Sequence, residues 1–172
     1  NNKKLKIAIF AASTMDKRFS HLTHVFLDAD DTLWENDIYF RIAEDEFAQH
    51  MSKFVSDSYA RERLAFHQEA NIPVYGYGAK TYLLGMCDTA AHLAPDDFGP
   101  GMYNDIKQII VRLETHPFAF LPGARETVIA LSRRYKVVIA TKGELHEQMR
   151  KYNISGLKDY VTAIEVMERK SV

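Results

Sequence analysis

The sequence predicts an α/β protein, a Rossmann-like parallel sheet interrupted by an inserted all-helical unit. Two observations carry the sheet. Val25-Phe26-Leu27 and Val137-Val138-Ile139-Ala140 are short continuous apolar runs, and each ends abruptly in a polar residue, Asp28 or Thr141. Such runs suit strands buried on both faces. A third observation carries the insert: between the two runs lies a mostly helical stretch of roughly 80 residues, the size of a small domain.

Taken in order, the elements read as follows. Lys3-Lys4-Leu5-Lys6 with Ile7 to Ala12 has a faint secretory look, but the apolar run is short and Asp16, Lys17 and Arg18 follow at once. Met15 is a plausible natural start, so residues 1–14 read as an extension, or else as a short edge strand. Val25–Leu27 is the first strand. Asn36 or Asp37 can cap a helix with Phe40, Ala43, Phe47, Met51 and Phe54 on one stripe. A second helix spans Ser58 to Ala70. Asn71 to Gly78, with Pro73, Gly76 and Gly78, reads as a loop. A third helix spans Ala79 to Leu93, Pro95 to Gly101 breaks it, and a fourth carries Met102, Ile106, Ile109, Ile110 and Leu113.

Leu121-Pro122-Gly123 then turns the chain into a helix with Val128, Ile129 and Leu131, which leads into the second strand. A last helix covers Glu144 to Tyr152 with Gly156 near its C-cap, and Ala163 to Val166 is a weaker third strand. The expected organisation is an α/β core of residues 15–35 and 118–172, with the helical insert at 36–117.

Bulk composition narrows the partners. The 172 residues carry 22 basic and 23 acidic side chains, a formal net charge of -1, so no basic excess marks a nucleic-acid surface. No stretch has the apolar length of a membrane span. The single cysteine, Cys87, can form no internal disulfide and no thiolate metal set. The expected compartment is the cytoplasm.

The chemistry sits in Asp28-Ala-Asp30-Asp-Thr32-Leu, just beyond the first strand. Ligands of open α/β sheets bind outside the carboxyl ends of the strands. One carboxylate can attack phosphorus and form an aspartyl-phosphate. A second can protonate the leaving alkoxide and later deprotonate water. A single group cannot serve as nucleophile and proton shuttle together, so the chemistry needs two.

An apolar strand followed by Asp-x-Asp-x-Thr-Leu resembles the first motif of the haloacid dehalogenase (HAD) superfamily. Val137 to Thr141 resembles its second motif, a strand ending in Thr or Ser. Asp159 to Lys170 resembles the region of its third, with Lys170 as the basic residue; Lys142 and Arg169 compete for that role. The resemblance covers about residues 22–172, with a helical insert where the family carries its C1-type cap.

The resemblance implies that Asp28 is the nucleophile and Asp30 the acid/base. Thr141 and Lys170 would bind the phosphoryl oxygens, and the Asp28 carboxylate and the Asp30 carbonyl would hold Mg²⁺. Charge stabilisation by such groups is most of what an enzyme supplies to phosphoryl transfer. A carboxylate at position 30 favours phosphate monoester hydrolysis over carbon–halogen cleavage. The implied activity is an Mg²⁺-dependent phosphatase acting on a small phosphorylated metabolite.

Two departures stand out. Asp31 occupies a position that is often Gly in this family, and Asp tolerates turn geometry. The acidic fourth motif has no match before Val172, so the expectation is of a chain truncated ahead of it. The alternative function is a catalytically incomplete fragment that serves as a binding or interaction module.

Candidate substrate-binding residues are Thr32 of the first motif, Lys142 beside Thr141, and Tyr77 and Lys80. The last two lie in the insert segment Tyr75-Gly-Tyr-Gly-Ala-Lys80. Its plain alternative is an inter-helix loop with a solvated lysine. Trp34 could line the entrance or pack in the core.

Overall fold

The computed structural model describes residues 21–167. The candidate Lys170, its competitor Arg169 and the extension 1–14 lie outside the described residues. In order, the elements are β1 (His24–Leu27), α1 (Asp37–Met51), α2 (Asp57–Tyr75), α3 (Ala79–Leu93) and α4 (Pro100–Glu114). There follow α5 (Ala124–Ser132), β2 (Lys136–Lys142), α6 (Leu145–Ser155) and β3 (Ala163–Met167). Among the described residues the strands form one parallel sheet in the order β1-β2-β3. The fold class is therefore α/β with a Rossmann-like core, as expected.

Register explains which face is buried. Val25 pairs with Val137, Leu27 with Ile139, and Ile139 with Ile164, so these side chains share one face. From that face Leu27, Val137, Ile139 and Ile164 join Trp34, Val128 and Leu157 in one hydrophobic cluster. Phe26 pairs with Val138 on the other face and is 65% exposed. The expectation that the first strand is buried on both sides is thus corrected for β1. Among the described residues one side of β1 packs on the helices and the other is open.

The helices α1 to α4 gather around a second cluster, with Phe47, Met51, Leu64, Met86 and Ile106 fully or almost fully buried. Phe40 and Phe54 pack against its edge. The chain leaves the sheet layer for these helices and returns from them side by side. The Glu35 N–H donates to the Ala119 carbonyl at 3.0 Å, and the Leu121 N–H donates to the Leu33 carbonyl at 2.9 Å.

Two boundaries differ from the sequence reading. The helix α2 runs through Pro73 to Tyr75, where a loop was expected. A proline costs a helix one backbone bond and a clash in the preceding turn, and here it falls in the last turn, where little helix remains to disrupt. The break comes at Gly76, with φ at 80°, whose N–H donates to the Ile72 carbonyl at 2.9 Å. The helix α4 begins at Pro100 and not after Gly101, because a first-turn proline lacks only a donor that would be unpaired anyway. No helix of the described residues is long and apolar enough to cross a membrane.

Candidate active site

The loop after β1 is a compact turn built on one carbonyl. The Ala29 oxygen accepts the N–H groups of Thr32, Leu33 and Trp34 at 3.2, 2.7 and 3.3 Å. Asp31 takes the left-handed conformation there, with φ at 54°. Its carboxylate then turns onto the start of α1: Oδ1 accepts the backbone N–H groups of Asn36 and Asp37, both at 3.0 Å. The helix cap comes from Asp31, therefore, and not from a side-chain bond of the positional N-cap residue Asn36. Asn36 uses its side-chain oxygen elsewhere, as an acceptor for Lys151 Nζ at 3.0 Å.

The turn leaves Asp28 and Asp30 on the rim of a cavity of about 480 Å³ between the sheet layer and the helical insert. Thr141, at the end of β2, opens on the same cavity and is buried. Lys142 and Tyr77 also line it, with the Lys142 ammonium 5.4 Å from the centre of the Tyr77 ring. From the insert come Phe40, Arg41 and Tyr82. Burial pushes the Tyr82 phenol well above its ordinary range, so it faces the cavity as a neutral hydroxyl.

Two candidate substrate-binding residues lie away from the cavity. Thr32 is exposed, and its backbone N–H donates to the Ala29 carbonyl. Lys80 is paired with Glu144, whose carboxylate also accepts the Lys80 N–H at 3.1 Å.

The Asp30 carboxylate is bonded through both of its oxygens. Its Oδ1 accepts Trp34 Nε1 at 2.8 Å and Lys151 Nζ at 2.6 Å. Its Oδ2 accepts Gln148 Nε2 at 2.8 Å. The Gln148 Oε1 in turn lies 3.2 Å from the Thr141 hydroxyl, which donates to it. Gln148 thus ties the carboxylate after β1 to the hydroxyl at the end of β2. Trp34, fully buried, packs in the core and does not line the cavity entrance.

No family model matches the sequence, and no curated protein matches it. Solved structures do. A haloacid dehalogenase-like family hydrolase from Xanthomonas campestris is 35% identical, with a TM-score of 0.81 over 87% of this chain and 63% of that one. The chain has the HAD superfamily fold. A haloacid dehalogenase-like hydrolase from Burkholderia xenovorans, 25% identical, aligns with a TM-score of 0.58 over 87% of this chain and 63% of that one. A Thermotoga maritima protein named as a β-phosphoglucomutase shares the fold at 17% identity and a TM-score of 0.56, over 88% of this chain and 64% of its own. The chain thus spans somewhat less than two thirds of the length of each of these proteins.

Within this HAD fold, Gln148 and Lys151 are site residues that the sequence reading missed. Their signal lies in the buried stripe of α6: Gln148, Lys151, Tyr152 and Ser155. These positions follow helical spacing, yet most are polar. A helix that turns a glutamine and a lysine inward needs partners for them, because buried polar groups must be bonded and buried charges paired. Asking what those partners are leads directly to Asp30.

Proposed function

We propose that the protein is a phosphatase that hydrolyses a small phosphate monoester through an aspartyl-phosphate on Asp28. The observation that carries this reading is the shared cavity. Asp28 and Asp30, two residues apart beyond β1, open on the same space as Thr141 at the end of β2. The Asp28 carboxylate attacks phosphorus as Asp30 delivers a proton to the leaving oxygen; Asp30 then takes a proton from the water that releases phosphate. The Thr141 hydroxyl would bind a phosphoryl oxygen, and Lys142, exposed beside it, adds positive charge at the rim.

The metal in this reading is Mg²⁺, which takes one or two carboxylates together with phosphate oxygens and waters. Among the described residues no group of three or more His, Cys, Asp or Glu side chains could hold a metal ion. The Asp28 carboxylate and the Asp30 carbonyl are still oxygen donors of the right kind. When bound, the ion offsets charge on the phosphoryl oxygens. The helices α1 to α4 act as a cap in this scheme, and the cavity-lining side chains Phe40, Arg41 and Tyr82 from them, with Tyr77 from the α2–α3 turn, set the substrate.

The test is hydrolysis of p-nitrophenyl phosphate with and without Mg²⁺, beside Asp28→Asn. Mg²⁺-dependent turnover lost in the variant supports the reading. Equal turnover by Asp28→Asn sinks it. A folded but inactive wild-type protein favours a binding module instead.

A further inference from the structure

We infer that Lys151 and Gln148 are positioning residues that aim the Asp30 carboxylate during proton transfer. The inference rests on the phosphatase reading above and names residues that lie outside the family motifs matched in the sequence.

The Lys151 side chain is fully buried. Its ammonium has three protons and three acceptors: Asp30 Oδ1 at 2.6 Å, Glu147 Oε1 at 3.0 Å and Asn36 Oδ1 at 3.0 Å. Lys151 is not among the cavity-lining residues, so it touches Asp30 from behind and not the substrate. A buried ion pair is a weak device for stability, since an apolar packing of similar volume often does as well. What it does fix is geometry.

The two carboxylate oxygens are held unequally. Among the described residues Oδ1 accepts two donors, Trp34 and Lys151, which use both of its lone pairs. Oδ2 accepts Gln148 alone and keeps a site for a further partner. Before a phosphoryl oxygen binds, the Thr141 hydroxyl also holds the Gln148 amide from its oxygen side. The backbone is shaped around it as well: Gly143 has φ at 124°, and a Cβ there would lie 3.0 Å from Gln148 Nε2. Oδ1 is thus the anchored oxygen and Oδ2 the one that carries the proton. In the first step Oδ2–H passes its proton to the ester oxygen as the Asp28–phosphorus bond forms and the ester P–O bond breaks. In the second, Oδ2 takes a proton from water as the water oxygen bonds to phosphorus and the Asp28–phosphorus bond breaks.

Proton delivery matters most when the leaving group is poor. The test is therefore kcat/KM, which reports ester cleavage, on p-nitrophenyl, phenyl and p-methoxyphenyl phosphates of similar size. It is measured for wild type, Asp28→Asn, Asp30→Asn, Lys151→Met, Lys151→Arg and Gln148→Leu, with folding checked by circular dichroism. Lys151→Met and Gln148→Leu are expected to lose at least about 10-fold more activity on the phenyl and p-methoxyphenyl esters than on the p-nitrophenyl ester. Asp30→Asn is expected to show the same pattern, and Lys151→Arg to restore part of the loss. If Lys151→Met does not fold, Gln148→Leu carries the test. A uniform loss across the three esters, or none, overturns the inference while leaving the phosphatase intact. Turnover by Asp28→Asn overturns the phosphatase reading and the inference with it.

Discussion

The Glu144 carboxylate pairs with the Lys80 ammonium and also accepts the Lys80 backbone N–H at 3.1 Å, joining the start of α6 to the start of α3. The Lys80 side chain is 71% exposed, so the charge pair is screened by water and the backbone bond is the firmer of the two. Gly78 completes the junction: its φ is 148°, and a Cβ there would come within 2.6 Å of the Glu144 side chain. Lys80→Met should therefore cost no more than ~1 kcal/mol in urea unfolding. Gly78→Ala should cost more, about 2 kcal/mol, from backbone strain and the displaced carboxylate. Equal effects of the two changes would show that the carboxylate is not held as described.

Asp31 does two things at once, taking the left-handed conformation and capping α1. Asp31→Ala loses the cap and places an alanine at positive φ, for a combined cost of about 2–3 kcal/mol. Asp31→Asn keeps the turn preference and one acceptor oxygen, and should cost less than half as much. Thermal or urea denaturation of the two variants checks the order, and an alanine variant as stable as wild type contradicts it.

Burial lowers the pKa of both His67 and His116 from the ordinary 6.5. The folded state therefore prefers these imidazoles neutral. The unfolded chain takes up protons near pH 6.5, before the folded one does, so the stability they permit is complete above that pH and is lost as pH falls through the folded values. The urea midpoint should drop between pH 7 and pH 5. His116 stacks on Tyr39 with ring centres 3.6 Å apart. His116→Phe keeps the stack and should flatten part of the slope; an unchanged slope would remove His116 from the account.

Burial also raises the pKa of the Cys87 thiol, and the neighbouring Asp88 adds to it. Thiolate, not thiol, is the reactive form. Ellman's reagent at pH 8 should label Cys87 slowly in the native protein and rapidly in urea. Comparable rates would mean that the packing of α3 against α2 is looser than described.

The strand ends were the most legible part of the sequence. An apolar run that stops at Asp28 or Thr141 is a local pattern, and parallel pairing carries both ends to the same edge of the sheet. That is why the sequence alone places Asp28, Asp30 and Thr141 around one space. Lys151 and Gln148 were not legible in the same way. Their meaning depends on how α6 is rotated about its axis, which only packing decides. The insert was legible as helices but not in its details. Proline at 73 was read as a breaker because sequence alone does not say how near the helix already is to its end. The pairing of Lys80 with Glu144 was not legible either, because Glu144 lies far along the chain.

The bonds that stitch residues 33–35 to residues 119–121 bear on the order of assembly. The strands β1 and β2 are distant in sequence, and closing so long a loop is entropically costly when the intervening chain is disordered. The helices α1 to α4 pack mainly on their sequence neighbours, an arrangement of low contact order that forms quickly. Once they have gathered, the two ends of the insert are already side by side, and the sheet needs to close only a short gap. The helical unit would then act as a splint for the nucleation of β1 on β2 as well as a wall of the cavity. Replacing it with a flexible linker of equal length should slow folding far more than replacing it with a two-residue turn.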